Sequence, residues 1–349
     1  MTSLGELSLR HSARAAVLAE LRRATATVVV THEHPDGDAL GSLVAMQLVL
    51  TALGHDSLMF IAPADLPLPY EYSFLPLAGL VSDAPSDLSR RTVIFLDCGN
   101  IERNPAASCL RPAAGWGHIL NIDHHHDNTR FGAVNYVDAQ ASCTAEMVWD
   151  IASELGVELT PELAGALYVG LITDTGCFMY ENTGPRAHAM AAELIEAGVD
   201  VHGLYQRVYE GVPFGKLMLL ARGLANAERY DDGLTVSQLS AEDFAASGAA
   251  ATYAEGIIDH LRAVRGTAMA ALARDRLDDC ERQAEGERLR KVSLRAADMR
   301  IDVSAIARAQ GGGGHRAAAG FNTSMPWAEL VAFLRQQLAE QQRGLQART

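Results

Sequence analysis

The chain of 349 residues is short of positive charge, of cysteine and of long apolar runs. It carries 29 lysine and arginine residues against 43 acidic ones, so its formal net charge is −14. A surface that binds long nucleic acid without sequence preference needs a broad cationic track, and this charge balance argues against one. Short nucleotides bound in a local pocket remain compatible with it, particularly where metal ions supply positive charge.

Cysteine content and hydropathy narrow the class of protein further. The 5 cysteines are scattered without paired spacing, which argues against a disulfide framework and favours a reducing compartment. No apolar run approaches the roughly 18 residues of a membrane span. The first residues also lack the basic and then apolar layout of a signal peptide. We therefore expect a cytoplasmic protein with no membrane partner.

The first half of the chain alternates strand and helix patterns. Such alternation predicts an α/β fold with a mostly parallel sheet flanked by helices. The strand patterns are Thr27–Thr31, Ser57–Ile61, Thr92–Leu96 and His118–Ile122. The helix patterns are Thr144–Leu155, Pro161–Ile172 and Pro185–Ala197. The proline-rich segment 62–78 is not expected to form regular structure.

A second α/β pattern begins near Arg229. Its strand patterns are Leu234–Leu239, Ala268–Ala273 and Arg290–Leu294. Between the two halves the pattern is helical and resembles a connector. We predict a catalytic domain over 1–198, a helical linker over 199–226 and a smaller α/β domain over 227–349. The active site is expected in the cleft between the two domains.

The stretch from His32 to Ser42 is the most informative in the chain. It begins His-Glu-His-Pro-Asp-Gly-Asp and joins a buried strand pattern to a helical one. Open α/β sheets place their sites where strands end, because the turn there exposes side chains in a crevice. Hard carboxylate oxygens mixed with imidazole suit Mn, Mg, Fe or Zn. A metal site is therefore the first hypothesis.

Further acids and histidines occupy equivalent positions along the chain. Asp97 ends an apolar strand pattern, Asp123 ends the next one and is followed by three histidines, and Asp174 ends an apolar helix pattern. One ion is saturated by about four protein ligands. Six or more hard ligands therefore predict two metal ions that share a bridging carboxylate.

Together these motifs resemble those of the DHH phosphoesterase superfamily. The resemblance rests on the His-x-x-x-Asp-x-Asp segment, the isolated Asp97, the Asp-His-His triplet at 123–125 and the fourth acid, Asp174. The segment 311–320, which contains four glycines before a histidine, is similar to the signature of the associated DHHA1 substrate-binding domain. The resemblance covers nearly the whole chain. It implies a DHH domain, then a DHHA1 domain.

Within the superfamily the chain is most similar to bifunctional oligoribonucleases that also act on 3′-phosphoadenosine 5′-phosphate (PAP). This resemblance implies that six side chains hold two divalent cations: His32, Asp36, Asp38, Asp97, His124 and Asp174. The first two would bind one ion, Asp97 would bridge the pair, and the remaining three would bind the second ion. The usual metal would be Mn²⁺, with Mg²⁺ and other divalent cations left open.

The catalytic roles implied by the resemblance follow from this arrangement. Water activated between two cations would attack the phosphate in line and expel the sugar oxygen. His125 would touch the scissile phosphate or the leaving oxygen, and Asp123 would orient a histidine. His34 and His126 match no ligand of the family, and we expect neither to bind metal.

Substrate binding is expected from both domains. Besides His125, the residues that match substrate-binding positions of the family are Arg186, Ser293, Arg295, Gly312, Gly313, Gly314 and His315. Arg186 matches a recurrent arginine of the family, for which a structural role is open as well. Glycine lets backbone N–H groups approach an anion closely. Ala296 stands where relatives carry a serine, so one hydroxyl contact of the family is in question.

Several functions fit parts of the pattern. Short RNA or DNA, PAP, linear pApA and cyclic dinucleotides such as c-di-AMP are all open as substrates. A homodimer is also open as the oligomeric state.

Other families fit the pattern less well. A RecJ-like single-strand exonuclease would be longer, and a manganese pyrophosphatase would have a lysine-dependent second domain. The metallo-β-lactamase motif needs histidine where Gly37 stands, and an amidohydrolase barrel needs a well-placed lysine or several later histidines. A non-catalytic nucleotide sensor would lack a metal carboxylate, and none is missing. We therefore expect an enzyme for very short substrates that forms no stable complex with long nucleic acid.

Overall fold

The computed structural model of the protein describes residues 4–102, 104–110, 118–277, 289–314 and 316–346. The chain divides into two compact units, one that ends at Gly211 and one that begins at Val212. The division falls within 199–226, the range predicted as a linker. Helix Val201–Tyr205 belongs to the first unit and helix Phe214–Ala225 to the second. The domain boundaries given above remain predictions.

The first unit is built on a parallel sheet. Within the described residues its strands are β1 (Ala26–Val30), β2 (Asp56–Phe60), β3 (Leu80–Val81), β4 (Thr92–Leu96), β5 (Ile119–Asp123) and β6 (Val134–Val137). Their order is β3-β2-β1-β4-β5-β6, and neighbouring strands run parallel. The strand order reverses direction at β1. This places β1 beside β4 at the switch point where open α/β sheets bind ligands.

Helices surround this sheet, which confirms the predicted α/β class. They are α1 (Leu4–Arg23), α2 (Gly37–Ala52), α3 (Pro105–Cys109), α4 (Thr144–Glu154), α5 (Pro161–Asp174), α6 (Pro185–Glu196) and α7 (Val201–Tyr205). A π-helical turn, Gln206–Glu210, continues α7. The strands and helices predicted for this half are confirmed to within two residues, whereas β3 and β6 were not predicted. Segment 62–78 contains only short 3₁₀ turns.

The site-bearing helix α2 is buried on nearly all sides. It packs on β1 and β2 and against α4 and α5, so its sequence is apolar around the whole circumference. Glycines permit the closest approaches. A Cβ atom on Gly41 would lie 2.5 Å from the carbonyl oxygen of Ala166, and one on Gly170 would lie 2.6 Å from Cβ of Ala145. These glycines let α2, α4 and α5 pack close together.

The second unit contains a mixed sheet. Within the described residues its strands are β7 (Glu228–Arg229), β8 (Leu234–Leu239), β9 (Met269–Asp275), β10 (Arg290–Ala296), β11 (Gly313–Gly314) and β12 (Ala318–Thr323). The order is β11-β12-β10-β9-β8-β7. β8 and β9 run parallel and the other neighbours antiparallel. The strand patterns predicted for this half correspond to β8, β9 and β10.

Helices cover both faces of the mixed sheet. They are α8 (Phe214–Ala225), α9 (Ala241–Ser247), α10 (Ile257–Arg262), α11 (Val303–Arg308) and α12 (Trp327–Gln346). One apolar core lies under α11 and α12, and a second lies under α8, α9 and α10. None of the helices in the described part of the chain is long and apolar enough to cross a membrane.

We expect the Gly41→Ala substitution to lower the free energy of unfolding by about 1–3 kcal/mol, because the added methyl group would overlap the backbone of α5. Gly165→Ala on α5 is the matched control, since a Cβ atom there meets nothing within 4 Å. It should raise the free energy of unfolding by about 0.5–1 kcal/mol. Urea unfolding of both variants checks this, and equal effects of the two would contradict the packing.

Candidate metal centre

The candidate site lies where neighbouring parallel strands end. His32 follows β1, Asp97 follows β4, and Asp123 is the last residue of β5. β1 pairs with β4 and β4 pairs with β5, so the three strand ends are adjacent at one edge of the sheet. The sheet topology therefore brings together motifs that are far apart in sequence.

The first motif is shaped by the start of α2. Asp36 is the N-cap of this helix, and one of its oxygens accepts hydrogen bonds from the backbone N–H groups of Asp38 (3.0 Å) and Ala39 (3.1 Å). Nδ1 of His32 donates to the carbonyl of Glu33 at 2.7 Å. Nε2 of His32 is therefore left as the nitrogen that faces the carboxylates, 3.8 Å from Asp36 Oδ1.

Asp97 lies at the centre of the cluster. Its φ angle of 56° is in the left-handed region, so the chain turns sharply directly after β4. Its Oδ2 lies 3.5 Å from Nε2 of His32, and its Oδ1 lies 3.5 Å from Nε2 of His124. The two oxygens of one carboxylate therefore face two different histidines.

A second donor group lies on the Oδ1 side of Asp97. Nε2 of His124 is 3.6 Å from Asp174 Oδ2 and 4.0 Å from Asp38 Oδ2. Asp38 comes from the first turn of α2, and Asp174 is the last residue of α5. The ligand atoms of Asp38, His124 and Asp174 lie within 4.8 Å of one another, as do those of His32, Asp36 and Asp97.

Burial makes negative charge in this cluster energetically costly. Burial raises the pKa of Asp38 well above its usual value, and the carboxylates of Asp97 and Asp174 add to the shift. Burial also raises the pKa of Asp174 to about 6. For His32, burial alone would lower the pKa, but contacts with Asp36 and Asp97 raise it to about 11. Among the described contacts of these carboxylates there is no lysine or arginine, so the donor set fits divalent cations.

His125 is oriented by a fully buried acid. Asp123, which is 0% exposed, places Oδ1 2.7 Å from Nδ1 of His125 and accepts a hydrogen bond from Asn128 on its other oxygen. The hydrogen bond with Asp123 raises the pKa of His125 to about 9. Asp123 therefore orients His125 rather than His124. The side chain of His125 is 45% exposed, so Nε2 is available to a ligand.

The N-terminus of α4 supports the buried acids. Asp38 accepts hydrogen bonds from the backbone N–H groups of Thr144 (2.7 Å) and Ala145 (2.9 Å). The Thr144 hydroxyl donates to Asp97 Oδ1 at 2.9 Å. Sequence reasoning missed this role of Thr144. A signal was present, because Cys143 is the N-cap of α4 and cysteine caps a helix poorly, so the first amides need an acceptor from elsewhere.

Arg186 lies in an ion-pair network rather than in the cluster of acids and histidines. Its Nε donates to Glu146 at 2.7 Å, another nitrogen pairs with Asp150, and its guanidinium lies 5.1 Å from the ring centre of Trp149. Its predicted contact with substrate remains a prediction. His34 also lies apart from the donor groups, since its ring is exposed and its closest charged partner is Asp65 at 3.6 Å.

Two of the predicted substrate residues of the second unit, Ser293 and Arg295, are on strand β10. Ser293 and Arg295 lie on one face of β10 and line a pocket with Lys291 and Arg274. The sequence reading did not single out Lys291 or Arg274 as site residues. A signal for Lys291 was present, because strand side chains two residues apart share a face.

Close packing accounts for two glycines of the run 311–314, which are Gly312 and Gly314. Gly313 and Gly314 form β11, which pairs with β12, so this part is not a flexible loop. A Cβ atom on Gly312 would lie 2.5 Å from Cβ of Phe321, and one on Gly314 would lie 2.5 Å from Cα of Ala319. His315 lies outside the described residues.

Comparison with known proteins identifies a matching family and similar proteins of named activity. Residues 26–171 match the model of the DHH family, N-terminal domain. The chain is 34% identical over 295 residues to the bifunctional oligoribonuclease and PAP phosphatase NrnA of Thermus thermophilus. The aligned region covers 84% of this chain and 82% of that protein. It is 25% identical over 306 residues to the protein of the same name from Bacillus subtilis, 84% and 88% of the two chains.

A solved structure has the same fold over almost the whole chain. It is an exopolyphosphatase-related protein from Bacteroides fragilis, with a TM-score of 0.83 and 23% identity, and the match covers 96% of this chain and 98% of that one. The motif residues at the strand ends lie within the matched DHH region or directly after it, and the similarity to NrnA continues well beyond that region. The chain therefore belongs to the DHH family, as a metal-dependent phosphoesterase of the NrnA type.

Proposed function

We propose that the protein is a cytoplasmic, Mn²⁺-dependent phosphoesterase that hydrolyses very short oligonucleotides, such as pApA, to mononucleotides and PAP to AMP. The observation that carries this proposal is the geometry of Asp97, whose two oxygens face two separate donor groups. The activities for which the Thermus and Bacillus relatives are named support the choice of substrates.

The two donor groups define the proposed metal ligands. His32 and Asp36 would hold one ion together with Asp97. The remaining ligands, which are Asp38, His124 and Asp174, would hold the other ion. Asp97 would be shared by the pair. Mixed imidazole and carboxylate donors are compatible with Mn²⁺ and less so with Ca²⁺, which prefers oxygen ligands alone.

The protein's own groups complete the chemistry. Two divalent cations, when bound, lower the pKa of a water and neutralise the phosphate oxygens in the transition state. Nε2 of His125 donates a proton to the leaving sugar oxygen, while Asp123 holds Nδ1 and so fixes the ring. The carboxylates of the cluster bind metal and do not serve as free general bases.

Substrate selection is assigned to groups that bind phosphate away from the scissile bond. Ser293 and Arg295 on β10, the backbone of 312–314 and His315 are the proposed anion-binding groups of the second unit. Arginine and backbone N–H groups are suited to terminal phosphates because both offer several donors in a fixed arrangement. A site that holds both ends of a substrate favours short molecules over long ones.

We expect Asp97→Asn to abolish hydrolysis of pApA and of PAP together, by on the order of 10³-fold or more, because the bridging charge is lost. Metal content measured by elemental analysis should fall below that of the unmodified protein. His34→Gln is the control, since His34 lies outside both donor groups and its metal content should stay unchanged. Retention of one activity in Asp97→Asn would show that a second site performs it.

His125→Gln should lower kcat for pApA by about 10²–10⁴-fold, because the leaving oxygen then departs without a proton. An aryl phosphodiester with a nitrophenolate leaving group needs no such proton, and its hydrolysis should fall much less. Bound metal should stay unchanged in this variant. A loss of metal would instead place His125 among the ligands, which its position 3.7 Å from Asp97 would allow.

For the Mn²⁺-loaded protein, we expect kcat/KM to be higher for 5′-phosphorylated dinucleotides than for an RNA of about twenty residues, since a long strand cannot have both ends held. Cyclic c-di-AMP, which has no terminal phosphate, is the comparison that isolates the contribution of that group. Equal or faster turnover of the long RNA would contradict the short-substrate assignment. Preferred turnover of c-di-AMP would favour a cyclic-dinucleotide phosphodiesterase.

A further inference from the structure

One short segment forms hydrogen bonds with two of the proposed ligands, Asp38 and Asp97. We call Ser142–Glu146, which includes the first residues of α4, the support turn. Its N–H groups bind the carboxylate of Asp38, and its Thr144 hydroxyl binds Oδ1 of Asp97. Its Ser142 carbonyl accepts a hydrogen bond from Asn182.

Asn182 extends the support turn to a third ligand. Its Nδ2 donates to the Ser142 carbonyl at 2.8 Å and lies 3.1 Å from both the carbonyl and Oδ2 of Asp174. Asp38, Asp97 and Asp174 therefore all depend on the position of one turn. Partners that orient metal ligands commonly change metal affinity 10–100-fold when they are removed.

Glu146 fixes the shape of the support turn. Its Oε2 accepts hydrogen bonds from the backbone N–H of Ser142 at 3.0 Å and from the Ser142 hydroxyl at 2.6 Å. Glu146 is only 4% exposed, so its charge is largely removed from water. A buried carboxylate is stable in this position only when a cation or enough donors satisfy it.

Arg186 supplies that cation. Its Nε donates to Oε1 of Glu146 at 2.7 Å, which is the oxygen that the support turn does not use. The guanidinium is itself held by Asp150 and by the face of Trp149. Arg186 is thus held by Glu146, Asp150 and Trp149, and its Nε atom is already used in the hydrogen bond to Glu146.

We propose that Arg186 is a positioning residue that acts through Glu146 and the support turn to set the affinity of the ion at Asp38, His124 and Asp174. The inference rests on the two-ion assignment of the proposed function. It differs from the sequence-based expectation that Arg186 contacts substrate.

The effect falls mainly on one ion because the other donor group has mostly separate supports. His32 is held by the carbonyl of Glu33, and Asp36 is held by the first N–H groups of its own helix. Neither of these contacts involves the support turn, which reaches this group only through the shared carboxylate of Asp97. A displaced turn therefore disturbs Asp38 and Asp174 directly and affects the site of His32 and Asp36 only through Asp97.

The test compares Arg186→Gln with Arg14→Gln. Arg14 is a matched control because it also pairs with α4, through Asp150 at 3.2 Å and Glu154 at 2.7 Å, but does not contact Glu146. Each full-length protein is stripped of metal and titrated with Mn²⁺ by calorimetry, and its thermal midpoint is measured. We expect Arg186→Gln to weaken one of two binding steps by about 10–100-fold and to weaken the other step, which shares only Asp97 with the support turn, by much less.

Arg14→Gln should lower the thermal midpoint about as much as Arg186→Gln does, but it should leave both Mn²⁺ binding steps unchanged. Arg186→Lys should restore part of the Mn²⁺ affinity that Arg186→Gln loses. Unchanged Mn²⁺ binding in Arg186→Gln with a raised KM would overturn the proposal in favour of a substrate contact. Equal weakening in both glutamine variants would overturn it in favour of general destabilisation. A single binding step in the unmodified protein would overturn the two-ion assignment and this inference with it. The expected steps without hydrolysis of any nucleotide would support the inference and contradict only the proposed activity.

Discussion

The arrangement of the first unit depends on the burial of one carboxylate, that of Asp38. This side chain is 1% exposed and serves as the missing cap of α4, since both of its oxygens accept backbone N–H groups there. Room for it exists only because Gly170 on α5 has no side chain; a Cβ atom there would lie 2.7 Å from Asp38 Oδ1. One carboxyl group thus sets the spacing of α2, α4 and α5, and it also faces the other acids and histidines of the candidate site.

The same burial creates an electrostatic cost that cations can offset. Asp36, Asp38, Asp97 and Asp174 lie close together, and like charges at such distances in a poorly solvated site repel strongly. In the protein alone, His32 offsets part of this charge, because contacts with two of the acids outweigh burial and raise its pKa to about 11. A bound divalent cation replaces that single positive charge with a larger one. Metal binding and stability of the fold are therefore coupled.

The sequence predicted the features that depend on local pattern and missed those that depend on distant partners. Strands β1, β4 and β5 are apolar runs that end in acids or histidines, so their positions and the cluster at their ends were predictable. Edge strands β3 and β11 have two residues each, too few for any periodicity. The bond between Thr144 and Asp38 spans 106 residues of sequence, and no spacing rule connects them. The need for glycine at Gly312 and Gly314 was not predictable either, because it comes from close contact with β12.

The two donor groups differ in how the chain assembles them, and this difference has consequences for function. His32 and Asp36 belong to one short segment and are oriented by backbone groups of the same segment, so this pair needs little beyond the start of α2. Asp38, His124 and Asp174 come from three separate elements and meet only when α2, β5 and α5 are packed together. A small shift between those elements changes all three distances at once. In the proposed two-ion arrangement, the affinity at Asp38, His124 and Asp174 would follow the packing of the whole unit, whereas the affinity at His32 and Asp36 would depend on one turn and on the shared Asp97.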